Sequence, residues 1–137
     1  MTTTATTVLG RPLWYELMTT DTKAAEKFYR TVVGWTAVPF EGPPQPYSTF
    51  NRSGDVPVAG LMKQPDGMNF PPFWAMYVGV QKLEDGVAHI KKLGGKGLSP
   101  VIDIPKVGRM QMMTDPQGAA SYIYEPADDP KQPEGAP

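Results

Sequence analysis

The apolar pattern of residues 9–63 recurs in residues 72–126, and this repeat constrains the fold more than any other feature. In the first stretch, residues 13–18 alternate as a strand does. Asp21 is an N-cap residue type and opens TKAAEKFYRTVVGW, where Ala25, Phe28, Tyr29, Val32 and Val33 fall at helical spacing until Gly34. Three short strands follow at 35–40, 47–51 and 56–62, divided by the Pro-rich EGPPQP and by Ser53-Gly54-Asp55. After the linker QPDGMNFPP the order begins again. Residues 73–80 form a strand, LEDGVAHIKKLGG a helix with Leu83, Val87, Ile90 and Leu93 on one face, and 97–104, 108–113 and 119–125 three more strands. Trp14 and Trp74, Phe28 and Ala88, and Gly34 and Gly94 keep a constant offset of about 60 residues. A βαβββ unit used twice predicts an α+β fold of two modules, 9–63 and 72–126, within a single domain of residues 9–126.

Composition narrows the function. The chain has 137 residues, 40% of them apolar and 20% charged, with a net charge of −1. It is long enough to bury a core and has no basic face for nucleic acid and no charge run for a membrane surface. With no cysteine there is no disulfide, thiolate metal site or cysteine nucleophile. MTTTATTVLG lacks the pattern of a signal peptide, and no apolar run approaches the ~20 residues that span a bilayer. Cytoplasmic localisation is the expectation. Residues 1–8 and 127–137 read as disordered tails, being Thr-rich and Pro-rich and poor in apolar side chains. No Walker loop, GxGxxG or nucleophile elbow is present, and LGGKG is a helix stop. Asp115-Pro116-Gln117-Gly118 is a turn signal.

Several stretches match a known family in order and spacing: DTKAAEKFYRTVVGW, KKLGGK and GRMQMMTDPQGAASYIYEP. The chain resembles the vicinal oxygen chelate superfamily, which contains glyoxalases, bleomycin-resistance proteins and extradiol dioxygenases. WYELMTTD, IPKVGRM and DPQGAA are most similar to its glyoxalase-like or hydroxylase-like branch. The resemblance implies that the two modules curl into a curved-sheet cup with helices outside, that the cup holds a ligand, and that the protein pairs as a homodimer. It also implies a divalent metal held by His and Glu on the first and last strands of the modules. Those positions fall on Trp14, on Ala75 (or Trp74 after a one-residue slip), on Tyr122 and within 59–62, none of which offers a metal ligand. The single histidine, His89, lies inside the second helix. The expectation is therefore no metal and no cofactor.

One carboxylate, Glu16, sits in the middle of the first apolar strand. If Trp14 holds the cavity-facing ligand position, alternation turns Glu16 and Met18 into the cup and Tyr15 and Leu17 under the helix. Glu16 then has three possible roles. It is hydrogen-bonded to polar neighbours such as Gln111 or Arg109 or lies at a wet rim, or it recognises a polar group of a ligand, or it is a general acid or base. The expected lining is Trp14, Met18, Tyr77, Arg109, Gln111, Met113, Tyr122 and Tyr124, with Arg109 either anchoring an anion at the mouth or pairing with a carboxylate. Aromatic and Met walls suit a small, largely apolar or aromatic molecule. Two function classes stay open: a binding protein of bleomycin-resistance type, and a metal-independent lyase, isomerase or hydroxylase-like enzyme using Glu16.

Overall fold

In the computed structural model, which describes residues 8–127, the chain forms two compact units. One is Trp14–Ala75; the other joins residues 8–13 to residues 76–127.

The unit Trp14–Ala75 begins with β1 (Pro12–Thr19) and α1 (Thr22–Val33), followed by β2 (Thr36–Pro39), β3 (Ser48–Arg52) and β4 (Val56–Lys63). Both ends of α1 are fixed by sequence chemistry. The Asp21 carboxylate accepts the Ala24 N–H at 3.0 Å, and Gly34 adopts φ 79°, a left-handed stop that other residues resist. β1 lies parallel to β4, while β3 is antiparallel to both β2 and β4. Leu17, Phe50, Ala59 and Leu61 form the core under α1, which contributes Ala25 and Tyr29. Burying side chains the size of Phe50 and Leu61 stabilises by about 1.5–3 kcal/mol each. The helical stripe is only half used, since Phe28 and Val32 stay more than half exposed. The row 25 and 29 meets the sheet, and Phe28 and Val32, each one row round the helix, miss it.

The other unit carries the end of β5 (Phe73–Gly79), then α2 (Leu83–Lys92), β6 (Lys96–Gly97), β7 (Ile102–Ile104), β8 (Gly108–Thr114) and β9 (Ala120–Pro126). β5 and β9 are parallel, and β8 is antiparallel to β9, β6 and β7. Leu83, Met113 and Ile123 form its core with Val80, Val87 and Ile90. Leu93 does not share that face: it lies past the helix end as the C-cap and is 74% exposed.

Two expectations need correction. The strand expected over 97–104 is two strands, because Pro100 has no N–H for a ladder and Ser99 Oγ takes the Met112 N–H at 3.1 Å instead. The expected tails are also shorter at their inner ends. Val8 is buried, Gly10 N–H donates to Gly79 O at 2.9 Å, and Ala127 N–H donates to Val107 O at 3.0 Å. The remaining tail residues, 1–7 and 128–137, lie outside the described residues. The α+β class holds, with two helices and mixed sheets. Among the described residues no helix is long and apolar enough to cross a membrane.

Candidate functional site

Strand parity decides which side chains can act together. In the unit Trp14–Ala75, Leu17 packs under α1, so Trp14, Glu16 and Met18 occupy the opposite face of β1. Glu16 pairs in register with Gly60, and Met18 with Met62. Glu16 and Met18 are fully buried, so the carboxylate has no direct access to water. A buried carboxylate keeps its place only where hydrogen bonds or charges compensate for lost hydration.

Beside it lies Tyr47, which the sequence did not single out. Trp14 Nε1 donates to Tyr47 Oη at 3.0 Å. The phenol occupies the space left by Gly60: a Cβ there would stand 1.7 Å from Tyr47 Oη and 3.1 Å from Trp14 Nε1. Trp14, Glu16, Tyr47 and Gly60 thus form one local constellation on the face away from α1. A tyrosine two residues before Thr49, the partner of Gly60, was the available signal. The register shift between Phe50 and Asn51 hid it, because a bulge breaks the alternation from which parity is read.

In the other unit three tyrosines share the face away from α2. Tyr77 pairs in register with Tyr122, with rings stacked at 4.2 Å, and Tyr124 meets Tyr77 edge-to-face at 5.8 Å. Tyr124 Oη donates to Val107 O at 2.7 Å, and burial raises its pKa. Met110 and Met112 pair with Tyr124 and Tyr122 and belong to this face.

Arg109, Gln111 and Met113 do not. They pair with Glu125, Ile123 and Ser121 and lie on the α2 side of the sheet. Met113 is core beneath α2. Gln111 Nε2 donates to Ser99 O at 2.6 Å, while its buried Oε1 accepts no hydrogen bond from a described residue. Arg109 grips Glu84 through both guanidinium nitrogens and donates to Glu125 at 2.8 Å. Glu125 also accepts the Leu83 N–H at 2.8 Å, satisfying the first turn of α2, whose N-cap Lys82 makes no side-chain cap. The Arg109 hydrogen bond, followed by a backbone hydrogen bond at Glu84 and then the Arg109 charge, lowers Glu84 to about 2, and the bonds to Glu84 and Glu125 raise Arg109. Arg109 is therefore the clamp that pins α2 to β8 and β9.

The family's metal positions can be tested against the chemistry present. Trp14 is engaged with Tyr47, Tyr122 with the ring of Tyr77, and position 60 has no side chain. Trp74 donates through Nε1 to Tyr29 Oη at 3.1 Å within the aromatic cluster of Tyr29, Trp35 and Phe50, so Ala75 is the residue on the other face. His89 is exposed on α2. Among the described residues no group of three His, Cys, Asp or Glu side chains could hold a metal ion. The donor set does not fit the family's metal.

No family model matches the chain. A glyoxylase-like domain-containing protein of Didymella fabae is 33% identical over 114 residues, spanning 79% of this chain and 88% of that protein. The chain belongs to the vicinal oxygen chelate superfamily. CFP32 of Mycobacterium tuberculosis, which carries a glyoxylase name, is 36% identical over 120 residues, 85% of this chain and 46% of its own length. The anthracycline biosynthesis protein DnrV of Streptomyces peucetius is 27% identical over 128 residues, with 84% and 46% covered. This superfamily member therefore spans about half the length of those two relatives. The fold agrees: methylmalonyl-CoA epimerase from M. tuberculosis superposes with a TM-score of 0.59 at 16% identity, over 89% of this chain and 92% of that one.

Proposed function

We propose that this superfamily member binds a small, largely apolar or aromatic molecule without a metal ion, and that Glu16 recognises the molecule's polar group. The observation that carries this is a fully buried carboxylate on the face of β1 that otherwise presents Trp14 and Met18. Apolar walls supply the affinity of such a site, and one or two polar groups supply its orientation. A hydrogen bond to a charged acceptor discriminates strongly, because a ligand lacking the donor forgoes a charge-assisted bond that others make. The relative named for anthracycline biosynthesis favours the aromatic end of this range.

The test is a thermal-shift screen of small aromatic phenols, amides and amines. A compound that binds the folded state at 100 times its Kd adds about 2.7 kcal/mol, a shift of several degrees. Glu16→Gln keeps the shape and loses the charge, and a charge-assisted hydrogen bond of about 1.5–3 kcal/mol corresponds to a loss of about tenfold or more in affinity. Ligands that shift wild type and Glu16→Gln equally would remove Glu16 from the site. A screen in which no compound raises the melting temperature would refute binding of this class.

A further inference from the structure

A concave site in the unit Trp14–Ala75 borders the Glu16 face, with Tyr47 as a wall of the groove. The Pro-rich segment after β2 folds over the start of α1 and the end of β4, enclosing a groove of about 890 Å³. That volume lies within the range of small-molecule sites, roughly 300–1,000 Å³. Its walls are stiff: Pro39, Pro43, Pro44 and Pro46 have fixed φ, so little chain entropy is lost when a ligand enters. Its aromatic side is the pair Phe40 and Tyr47, edge-to-face at 6.1 Å and joined by the Phe40 N–H to Tyr47 O bond of 2.9 Å. Tyr47 is itself held from behind by Trp14.

The charges lining the groove set the sign of what it takes. Glu26, Glu41 and Asp66 face it, against one cation, Lys63. Lys23 makes only a loose 3.8 Å contact with Glu26 and is 88% exposed. The enclosure is made by prolines and rings; the carboxylates decide only which guests are favoured. Aromatic faces attract cations as well, through their quadrupole.

We propose that this groove is a binding site for a small organic ammonium ion. It stands on Phe40, Tyr47 and three carboxylates, none of which is Glu16, so it does not require the role given to Glu16. An inorganic cation would have to shed tightly held water to reach the rings and has no apolar surface to bury there, and a neutral guest lacks the charge that the carboxylates attract. An ammonium ion carrying alkyl or aromatic groups uses both.

The experiment is a ¹H–¹⁵N NMR titration of the full chain at constant ionic strength, with choline and its neutral isostere 3,3-dimethyl-1-butanol. The expected result is saturable shifts at Phe40, Tyr47 and Asp66 with choline, and affinity for the neutral isostere weaker by about tenfold. Phe40→Leu should weaken choline several-fold, and Glu41→Gln should do so less. Sodium chloride added in place of choline controls for bulk ionic effects. Equal affinity for the two isosteres overturns the proposal. So does the absence of saturable shifts, shifts centred outside the groove, or undiminished binding by a folded Phe40→Leu variant.

Discussion

Gly60→Ala is the sharpest test of the Trp14–Tyr47 arrangement. The new Cβ would stand 1.7 Å from Tyr47 Oη and 2.5 Å from its Cζ, whereas non-bonded atoms prefer separations near 3.5 Å. The phenol must retreat, and the 3.0 Å bond from Trp14 Nε1 is then lost. Overpacking costs about 1–3 kcal/mol, and an unmade hydrogen bond adds about 1 kcal/mol. Replacing glycine in a strand returns about 0.5–1 kcal/mol of backbone entropy. The net destabilisation is about 1.5–3 kcal/mol. With a urea m-value of about 1–3 kcal/mol/M, the midpoint falls by on the order of 1 M at unchanged m. The assay is urea denaturation of the wild type, Gly60→Ala, Tyr47→Ala and the double variant. If Tyr47 is what the methyl meets, the cost of Gly60→Ala drops close to zero in the Tyr47→Ala background, a coupling of about 1–3 kcal/mol. Equal costs in both backgrounds, or a single-variant cost below about 0.5 kcal/mol, would refute the reasoning.

Two further outcomes follow from the other unit. A Cβ on Gly79 would lie 2.1 Å from the Val8 carbonyl oxygen, which is backbone and cannot swing aside, so Gly79→Ala should free residues 8–11 and speed hydrogen exchange at the Gly10 amide, which donates to Gly79 O at 2.9 Å; an unchanged exchange rate would count against that packing. Glu84 should titrate near 2 by NMR in wild type and return toward its ordinary value of 4.5 in Arg109→Gln. Its folded-state pKa is lowered, so the stabilisation is present above 4.5 and is lost as pH falls toward about 2. Because Glu84 is 67% exposed, solvent screens the pair and the stability change is small, whereas the pKa change is large. A Glu84 titration unaffected by Arg109→Gln would show that the clamp does not form in solution.

What the sequence determined by itself was local or periodic. Asp21 and Gly34 bound α1 because a side-chain cap and a left-handed glycine act within a few residues, with no help from the rest of the chain. Apolar periodicity predicted both helices and most of the strands for the same reason, 97–104 excepted, and alternation along β1 separated Glu16 and Met18 from Leu17. Tertiary structure decided everything that depends on which face a strand turns. Residues 110–113, Met-Gln-Met-Met, are large and mostly apolar at both parities, so no period of two marks an inside. Only the pairing of β8 with β9 sends Arg109, Gln111 and Met113 toward α2 and leaves the tyrosines on the other side. Tyr47 became visible only when the fold brought it over Gly60, 13 residues along the chain, where a missing side chain makes the room. Residues 8–13 likewise join the C-terminal unit because Gly79, far off in sequence, has no Cβ to keep the Val8 carbonyl away. Close approaches of this kind are set by the absence of atoms at distant positions, which no local pattern records.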